Sequence, residues 1–468
     1  MRAAGGVLLV SLYELGHQPA GLAFPLAALE QAGFSPRALD LSVEELDPEA
    51  VRGAGLIAVS VPMHTAMRIG AAVAGRIRAL NPGAHLCFYG LYAVLNAGHL
   101  LATADSVLGG EIEPALVTLA EALEQGERGP IEGVTFREKW QAAGATGTAP
   151  AVLRRVELPV PSRDHLPPLE RYARLDYRGE LRLAGYTEAT RGCKHHCRHC
   201  PIPPVYGGRF FAVPAETVLG DIRRQVTAGA RHVTFGDPDF LNGPTHALRI
   251  ARALHAAHPE VTFDFTAKVE HLLAQETLLP ELASLGCLFI VSAVESVSED
   301  VLARLRKRHT RADVARAAAA ARRAGIALRP SLMPFTPWAG LDDYLDLLRF
   351  SVEHELVDSL DPVQFSIRLL VPPGSLLLEG GDMDPYLGPL DAAAFSYTWT
   401  HPDPRMDALH QEVAARVERA AQAGEPPRET FRAIWSAAHR AAGLPDVDPK
   451  LPPEPDVKPP RLTEAWFC

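Results

Sequence analysis

Residues 187–210 read TEATRGCKHHCRHCPIPPVYGGRF, and within them Cys193, Cys197 and Cys200 are spaced Cys-X3-Cys-X2-Cys. Three thiolates at this spacing can hold three irons of a cubane cluster and leave the fourth iron without a protein ligand. A bacterial ferredoxin run is tighter and adds a fourth cysteine, whereas here no cysteine follows Cys200 until Cys287. An open iron favours chemistry over electron storage. Two other uses of the thiols stay open at this level. Zinc would combine them with His195, His196 or His199 of the same loop, although structural zinc sites close with a separated second ligand pair, and no such pair is evident. A disulfide would need an oxidising compartment, and six cysteines in 468 residues do not make the dense framework of a secreted scaffold.

Downstream of these cysteines the chain alternates apolar runs with helical patterns. Counting from LAGYTEAT at Leu183, the runs RHVTFGD, VTFDFTAK, CLFIVSAVE, IALRPSLM and PVQFSIRLL make six strands, with helical spacing between them. Six such units predict a partial (βα)6 barrel whose chemistry gathers at the carboxyl ends of the strands. Upstream, GGVLLVSLY, LIAVSVP and AHLCFYG alternate with helical stretches such as LAFPLAALEQAGF and EPALVTLAEALEQG. This pattern predicts a doubly wound, Rossmann-like parallel sheet with its ligand crevice at the strand ends. Those ends hold Glu14 to Pro19, Met63, His64, Gly90, Leu91 and Gly109 to Glu111. Gly109 and Gly110 lack a Cβ, so their backbone can approach a ligand closely or make a tight turn before the next helix. The expected organisation is α/β: a Rossmann-like domain over 1–126, a proline-restricted linker over 127–180, the barrel over 181–376, a helical extension over 377–443 and a proline-rich tail over 444–468.

The cysteine spacing, with the aromatic ring of His199 just before Cys200, resembles the signature of radical S-adenosylmethionine (SAM) enzymes. That resemblance implies a [4Fe-4S] cluster on Cys193, Cys197 and Cys200, with SAM chelating the open iron. It also implies that Gly236, Asp237 and Asp239 of GDPDF lie beside the SAM amino group, and that Glu295 and Ser296 of SAVES contact SAM. The segments GHQPAGLAFPLAALEQAGF and LGGEIEPALVTLAEAL resemble the cobalamin-binding domain that precedes the barrel in many such enzymes. The likeness opens a place for cobalamin, with Gly109 and Gly110 near it. The cobalt-ligating pattern Asp-X-His-X-X-Gly is not met, since LGHQPA has Leu15 and Ala20 where Asp and Gly would stand. Without that carboxylate nothing orients the His17 imidazole as a ligand, so a bound cobalamin is expected to have no histidine below cobalt.

The remaining strand ends supply Lys268, Glu270, His271, Arg329, Trp338 and Arg368. An arginine there can fork onto a carboxylate of SAM or of an acidic substrate. Glu295, Arg368 and Cys468 are the candidates for touching the reaction. The terminal run RLTEAWFC, together with GDPDFLNGP, TAKVEHLL, GCLFIVSAVES and PFTPW, resembles the radical SAM family named for its CUAEP or CCAEP tail, where U is selenocysteine. The likeness stops at the first cysteine of that tail, as it would if a selenocysteine codon were read as a stop. A thiol and selenol pair would suit a soft electrophile such as a trivalent metalloid.

With 46 basic against 56 acidic residues the net charge is -10. No basic stripe with interleaved aromatics points to nucleic acid. The run Val7 to Tyr13 is too short for a membrane span, and a cytoplasmic protein is expected. Its partners would be a small-molecule substrate and an electron donor such as flavodoxin or ferredoxin. The expected activity is reductive SAM cleavage, coupled to hydrogen abstraction, to cobalamin-dependent methyl transfer or to aminocarboxypropyl transfer. A non-catalytic iron–sulfur or zinc protein is the reading from another class.

Overall fold

The computed structural model describes residues 1–127, 129–145 and 147–464. Its first sheet comprises β1 (Val7–Ser11), β2 (Arg37–Asp40), β3 (Leu56–Ser60), β4 (His85–Tyr89), β5 (Ser106–Leu108) and β6 (Val134–Phe136), ordered β2-β1-β3-β4-β5-β6. The first five are parallel and β6 closes the edge antiparallel to β5. All of VLLVS and LIAVS is buried, because helices cover both faces of the sheet. Alternate side chains divide between two cores. Val7 and Leu9 pack with Leu22, Leu26 and Leu116, while Leu8 and Val10 pack with Met67 and Ile77.

Downstream come β7 (Arg174–Tyr177), β8 (Glu180–Thr187), the short pair β9 (Thr190–Gly192) and β10 (Phe210–Ala212), then β11 (His232–Phe235), β12 (Thr262–Ala267), β13 (Cys287–Glu295) and β14 (Ala327–Leu332). A hairpin of β15 (Leu387–Asp391) and β16 (Ser396–Trp399) follows, and β17 (Arg461–Leu462) is last. The second sheet is ordered β14-β13-β12-β11-β8-β7-β17. Strands β8 and β11 to β14 are parallel and form the half-barrel, while β7 and then β17 extend its β8 edge antiparallel.

Five of the six predicted barrel strands form a ladder. PVQFSIRLL instead turns as a 3-10 helix at Pro362–Phe365 and meets the barrel through a single parallel bridge between Phe335 and Arg368. The reason is local: the Gln364 side-chain oxygen accepts the Leu332 N–H at 2.8 Å, using a donor that a sixth strand would have needed. The stretch 127–180 contributes β6 to the first sheet and β7 to the second, and Val152 bridges Gly110. The helices Pro404–Ala423 and Pro427–Ala441 pack into the barrel core through Met406, Leu409, Val413 and Phe431.

Two remote segments fill the open side of the half-barrel. His17, from the loop after β1, stacks on Tyr186 with ring centroids 4.6 Å apart. Leu462 joins it at the wall of a cavity of about 90 Å³, whose other walls include Asp264, Phe289 and Arg329. Among the described residues no helix is long and apolar enough to cross a membrane.

Candidate functional site

Pairing of β9 with β10 sets Gly192 opposite Phe210 and Thr190 opposite Ala212, so the ends of the cysteine loop are stapled together. Gly192 makes the entry turn possible: its φ is 77°, and a Cβ there would stand 2.5 Å from the Arg209 carbonyl oxygen. Cys193 and Cys197 are buried, Cys200 is half-buried, and all three thiols are free. The sulfurs feel one another's charge, and those of Cys193 and Cys200 accept the N–H groups of His195 and Ile202. Burial pushes the Cys193 thiol up and the Cys200 thiol up to about 12, and a bound metal would favour loss of their protons. Three convergent free thiols with backbone N–H donors fit an iron–sulfur cluster with one iron left open.

The loop is held by the strand ends around it. Glu295, which ends β13 with a left-handed φ of 65°, places Oε1 3.4 Å from His199 Nε2 and 3.2 Å from Lys307 Nζ. Burial would raise its carboxyl, but the Lys307 ammonium and His199 pull it down to about 2. Glu295 is therefore an anion between two cationic or donor groups. Ser296 Oγ accepts the Ser298 N–H at 3.1 Å. On the other side His195 Nε2 lies 3.1 Å from His271 Nε2, and His271 Nδ1 lies 2.7 Å from Asp239 Oδ2. His195, His271 and Asp239 are all buried and close enough together to share an ion.

Asp237 and Asp239 are spent inside the protein. Asp237 accepts from Ala189 N at 2.9 Å and Thr190 Oγ1 at 2.5 Å, and Asp239 accepts from Leu241 N at 3.0 Å and Lys268 N at 3.2 Å. Both residues are at most 1% exposed. Gly236 is needed because a Cβ would collide with Tyr186 Oη at 2.0 Å. At Gly109 a Cβ would meet Val94 at 2.2 Å, and at Gly110, with φ of 76°, the Val152 carbonyl oxygen at 2.1 Å. These two glycines admit the crossing backbone of residues 150–152. Cys468, Trp466 and Phe467 lie outside the described residues.

A cavity of about 1330 Å³ opens between the two sheets. Met63, His64, Thr65, Arg68 and Tyr92 line it from the carboxyl ends of β3 and β4, His199 from the cysteine loop, Met333 from the end of β14. Arg368 also lines it, but its fork is already held: it donates to Asp407 at 2.7 Å and to the Trp399 carbonyl at 2.8 Å, and lies 3.5 Å over the Trp399 ring. Ala394, at the tip of the β15–β16 hairpin, closes one side by accepting from His64 Nε2 at 2.7 Å. His17 is not part of this cavity; its burial under Tyr186 lowers the imidazole to about 4. Sequence reasoning missed Lys307, which stands twelve residues beyond Glu295 and carries no motif to mark it.

Three comparisons bear on this arrangement. No curated protein matches the chain. A radical SAM methyltransferase, TsrM from Kitasatospora setae, solved with tryptophan substrate and the SAM analogue aza-SAM, superposes with a TM-score of 0.60 at 18% identity, over 75% of this chain and 71% of its own. The cobalamin-dependent SAM radical enzyme OxsB, solved with aqua-cobalamin and SAM, does so with a TM-score of 0.70 at 16% identity, over 89% and 67%. At these identities the likeness is one of fold, and it extends across both sheets. Residues 187–348, which take in most of the half-barrel and its three-cysteine loop, match the Radical SAM superfamily.

Proposed function

We propose that the protein is a cobalamin-dependent radical SAM methyltransferase acting on a small molecule. The observation that carries this reading is the cavity of about 1330 Å³ between the carboxyl ends of β3 and β4 and the mouth of the half-barrel. In open α/β sheets ligands bind in that crevice, and here the cysteine loop forms the facing wall through His199. The superposed TsrM and OxsB structures support the reading, since OxsB carries aqua-cobalamin and TsrM is a methyltransferase.

The residues on the cavity wall fit a large, mostly apolar group. Met63, Tyr92, Leu369 and Leu370 present apolar surface and exclude water, and Arg68 offers a cation at the rim. Cobalamin bound there would supply a carrier for a methyl group. His17 is buried under Tyr186, apart from the cavity, so the pocket provides no histidine ligand from the loop after β1. Glu295 and Lys307 orient His199, which belongs to both the cysteine loop and the cavity wall. The protein's share of the work is thus orientation and the exclusion of water.

Anaerobic reconstitution with iron and sulfide, followed by hydroxocobalamin, SAM and a reductant, tests the reading. One cobalamin retained per chain, with S-adenosylhomocysteine among the products, is expected. Retention of no cobalamin while 5'-deoxyadenosine is still formed would leave a radical SAM enzyme without the methyl carrier. Methylthioadenosine as the sole product would instead indicate aminocarboxypropyl transfer.

A further inference from the structure

We propose that the side-chain amide of Asn242 donates an N–H···S hydrogen bond to Cys193 Sγ when a cluster is bound, and thereby sets how readily that cluster is reduced. The proposal rests on the reading that Cys193, Cys197 and Cys200 hold a [4Fe-4S] cluster.

Asn242 reaches the cysteine loop because the chain around it is pinned. Beyond β11, Asp239 Oδ1 accepts the Leu241 N–H at 3.0 Å and the Asp239 carbonyl accepts the Asn242 N–H at 3.0 Å, which winds Phe240–Asn242 into a single 3-10 turn. Phe240 and Leu241 are buried in the half-barrel core, and the next helix begins at Pro244. The turn sets the Asn242 side chain against the first cysteine, in a residue only 4% exposed. Cys193 Sγ donates to Asn242 Oδ1 at 3.9 Å, and Lys194 N donates to the same oxygen at 3.5 Å.

Only half of this amide is used. Its Nδ2 is buried and has no hydrogen-bond partner among the described residues. A buried amide N–H without an acceptor is costly, and native interiors seldom keep one. The bond to Sγ, moreover, runs from sulfur to oxygen, a direction open only to a thiol. A cysteine that binds iron has lost its proton and is an acceptor, so Oδ1 would then face a sulfur with no hydrogen to give. Half a turn of the amide about Cβ–Cγ exchanges oxygen and nitrogen with no change of volume. Both faults disappear: Nδ2 gains an acceptor and the thiolate gains a donor. What is given up is the Lys194 contact, already long for an N–H···O bond.

The consequence is electronic. Hydrogen bonds to the sulfurs are among the levers that set cluster potentials, because an N–H aimed at a thiolate favours the state with one more negative charge. Dithionite supplies that electron and is itself oxidised; no bond of the cluster is made or broken.

The chain has three asparagines, which makes the bond directly observable. Asn81 Nδ2 donates to the Val51 carbonyl at 2.8 Å and Asn96 Nδ2 to the Tyr92 carbonyl at 2.9 Å, so neither of these amides is left to meet a sulfur. The full chain is produced with asparagine carrying nitrogen-15 in its side-chain amide, reconstituted anaerobically with iron and sulfide, reduced with dithionite and examined by pulsed EPR. A nitrogen-15 hyperfine coupling to the reduced cluster is expected in the parent and its loss in Asn242→Leu, which keeps a similar volume without a donor. Redox titration is expected to find reduction about tenfold less favourable in Asn242→Leu, a midpoint about 59 mV more negative, at unchanged iron content. A labelled parent without the nitrogen-15 coupling would overturn the proposal, and this measurement needs no variant to fold. A parent-like midpoint in Asn242→Leu at full iron content would overturn it too. A parent that assembles no [4Fe-4S] cluster would instead overturn the reading beneath it.

Discussion

Two loops occupy the same topological place and do different work. Each follows the first parallel strand of its own sheet in chain order: residues 12–19 follow β1, and residues 188–201, which include β9, follow β8. The second is an open ring of thiols stapled at its base. The first is packed shut. Glu14, pushed up to about 8 by burial, accepts the Gly21 N–H at 3.1 Å, Gln18 donates to the Pro167 carbonyl at 2.9 Å, and His17 stacks on Tyr186. The strand end marks where a loop can reach a ligand; its side chains decide whether it holds one or plugs a neighbouring sheet.

The sharpest way to break this comparison is to exchange the outcomes. Cys197→Ala is expected to drop iron content and SAM cleavage to background, whereas His17→Ala is expected to leave iron content unchanged; iron loss in the second variant would show that the β1 loop shares in the cluster site. Next in size is Gly110→Ala, which places a methyl 2.1 Å from the Val152 oxygen at a φ of 76°. A loss of about 3 kcal/mol in urea unfolding is expected, and a loss of cobalamin binding without a loss of stability would restore a ligand role to that turn. His17 sets a pH signature on the closed loop. Its folded pKa is lowered from 6.5 to about 4, so between those values the unfolded chain binds the proton first. The stability held by the neutral ring is whole above pH 6.5 and falls as pH drops toward 4, by about 3 kcal/mol. His17→Phe should flatten that slope in unfolding midpoints taken at intervals across the window. The smallest effect is expected from Arg368→Lys, which loses the fork to Asp407 and the flat stacking on Trp399. About 1 kcal/mol of stability is expected to go, and an unchanged melting temperature would argue that Arg368 is kept for a ligand.

Much of this was legible before any coordinates. The cysteine loop was readable because its three cysteines lie within eight residues, and the parallel sheets because apolar runs alternate with helical spacing. Glu295 was found through its SAVES motif, although its partner Lys307 was not. Other surroundings were hidden in the sequence because a residue's partner lies far along the chain. Asp239 read as a ligand contact, but its oxygens are taken by Leu241, Lys268 and His271. Gly109 and Gly110 read as a ligand turn, but the crossing strand at Val152 fills the space. The sixth strand was apolar enough to pass, yet Gln364 had already used the edge donor of Leu332.

By itself, then, the order of residues determined the cluster loop, the two parallel sheets and the class of chemistry, because spacing and periodicity are local properties of a chain. Only the tertiary structure decided which strand ends face a cavity, which carboxylates are already satisfied, and that Lys307 turns inward onto Glu295. Those properties depend on contacts between segments tens to hundreds of residues apart, where burial and hydrogen bonding select among uses that the side chain alone leaves open.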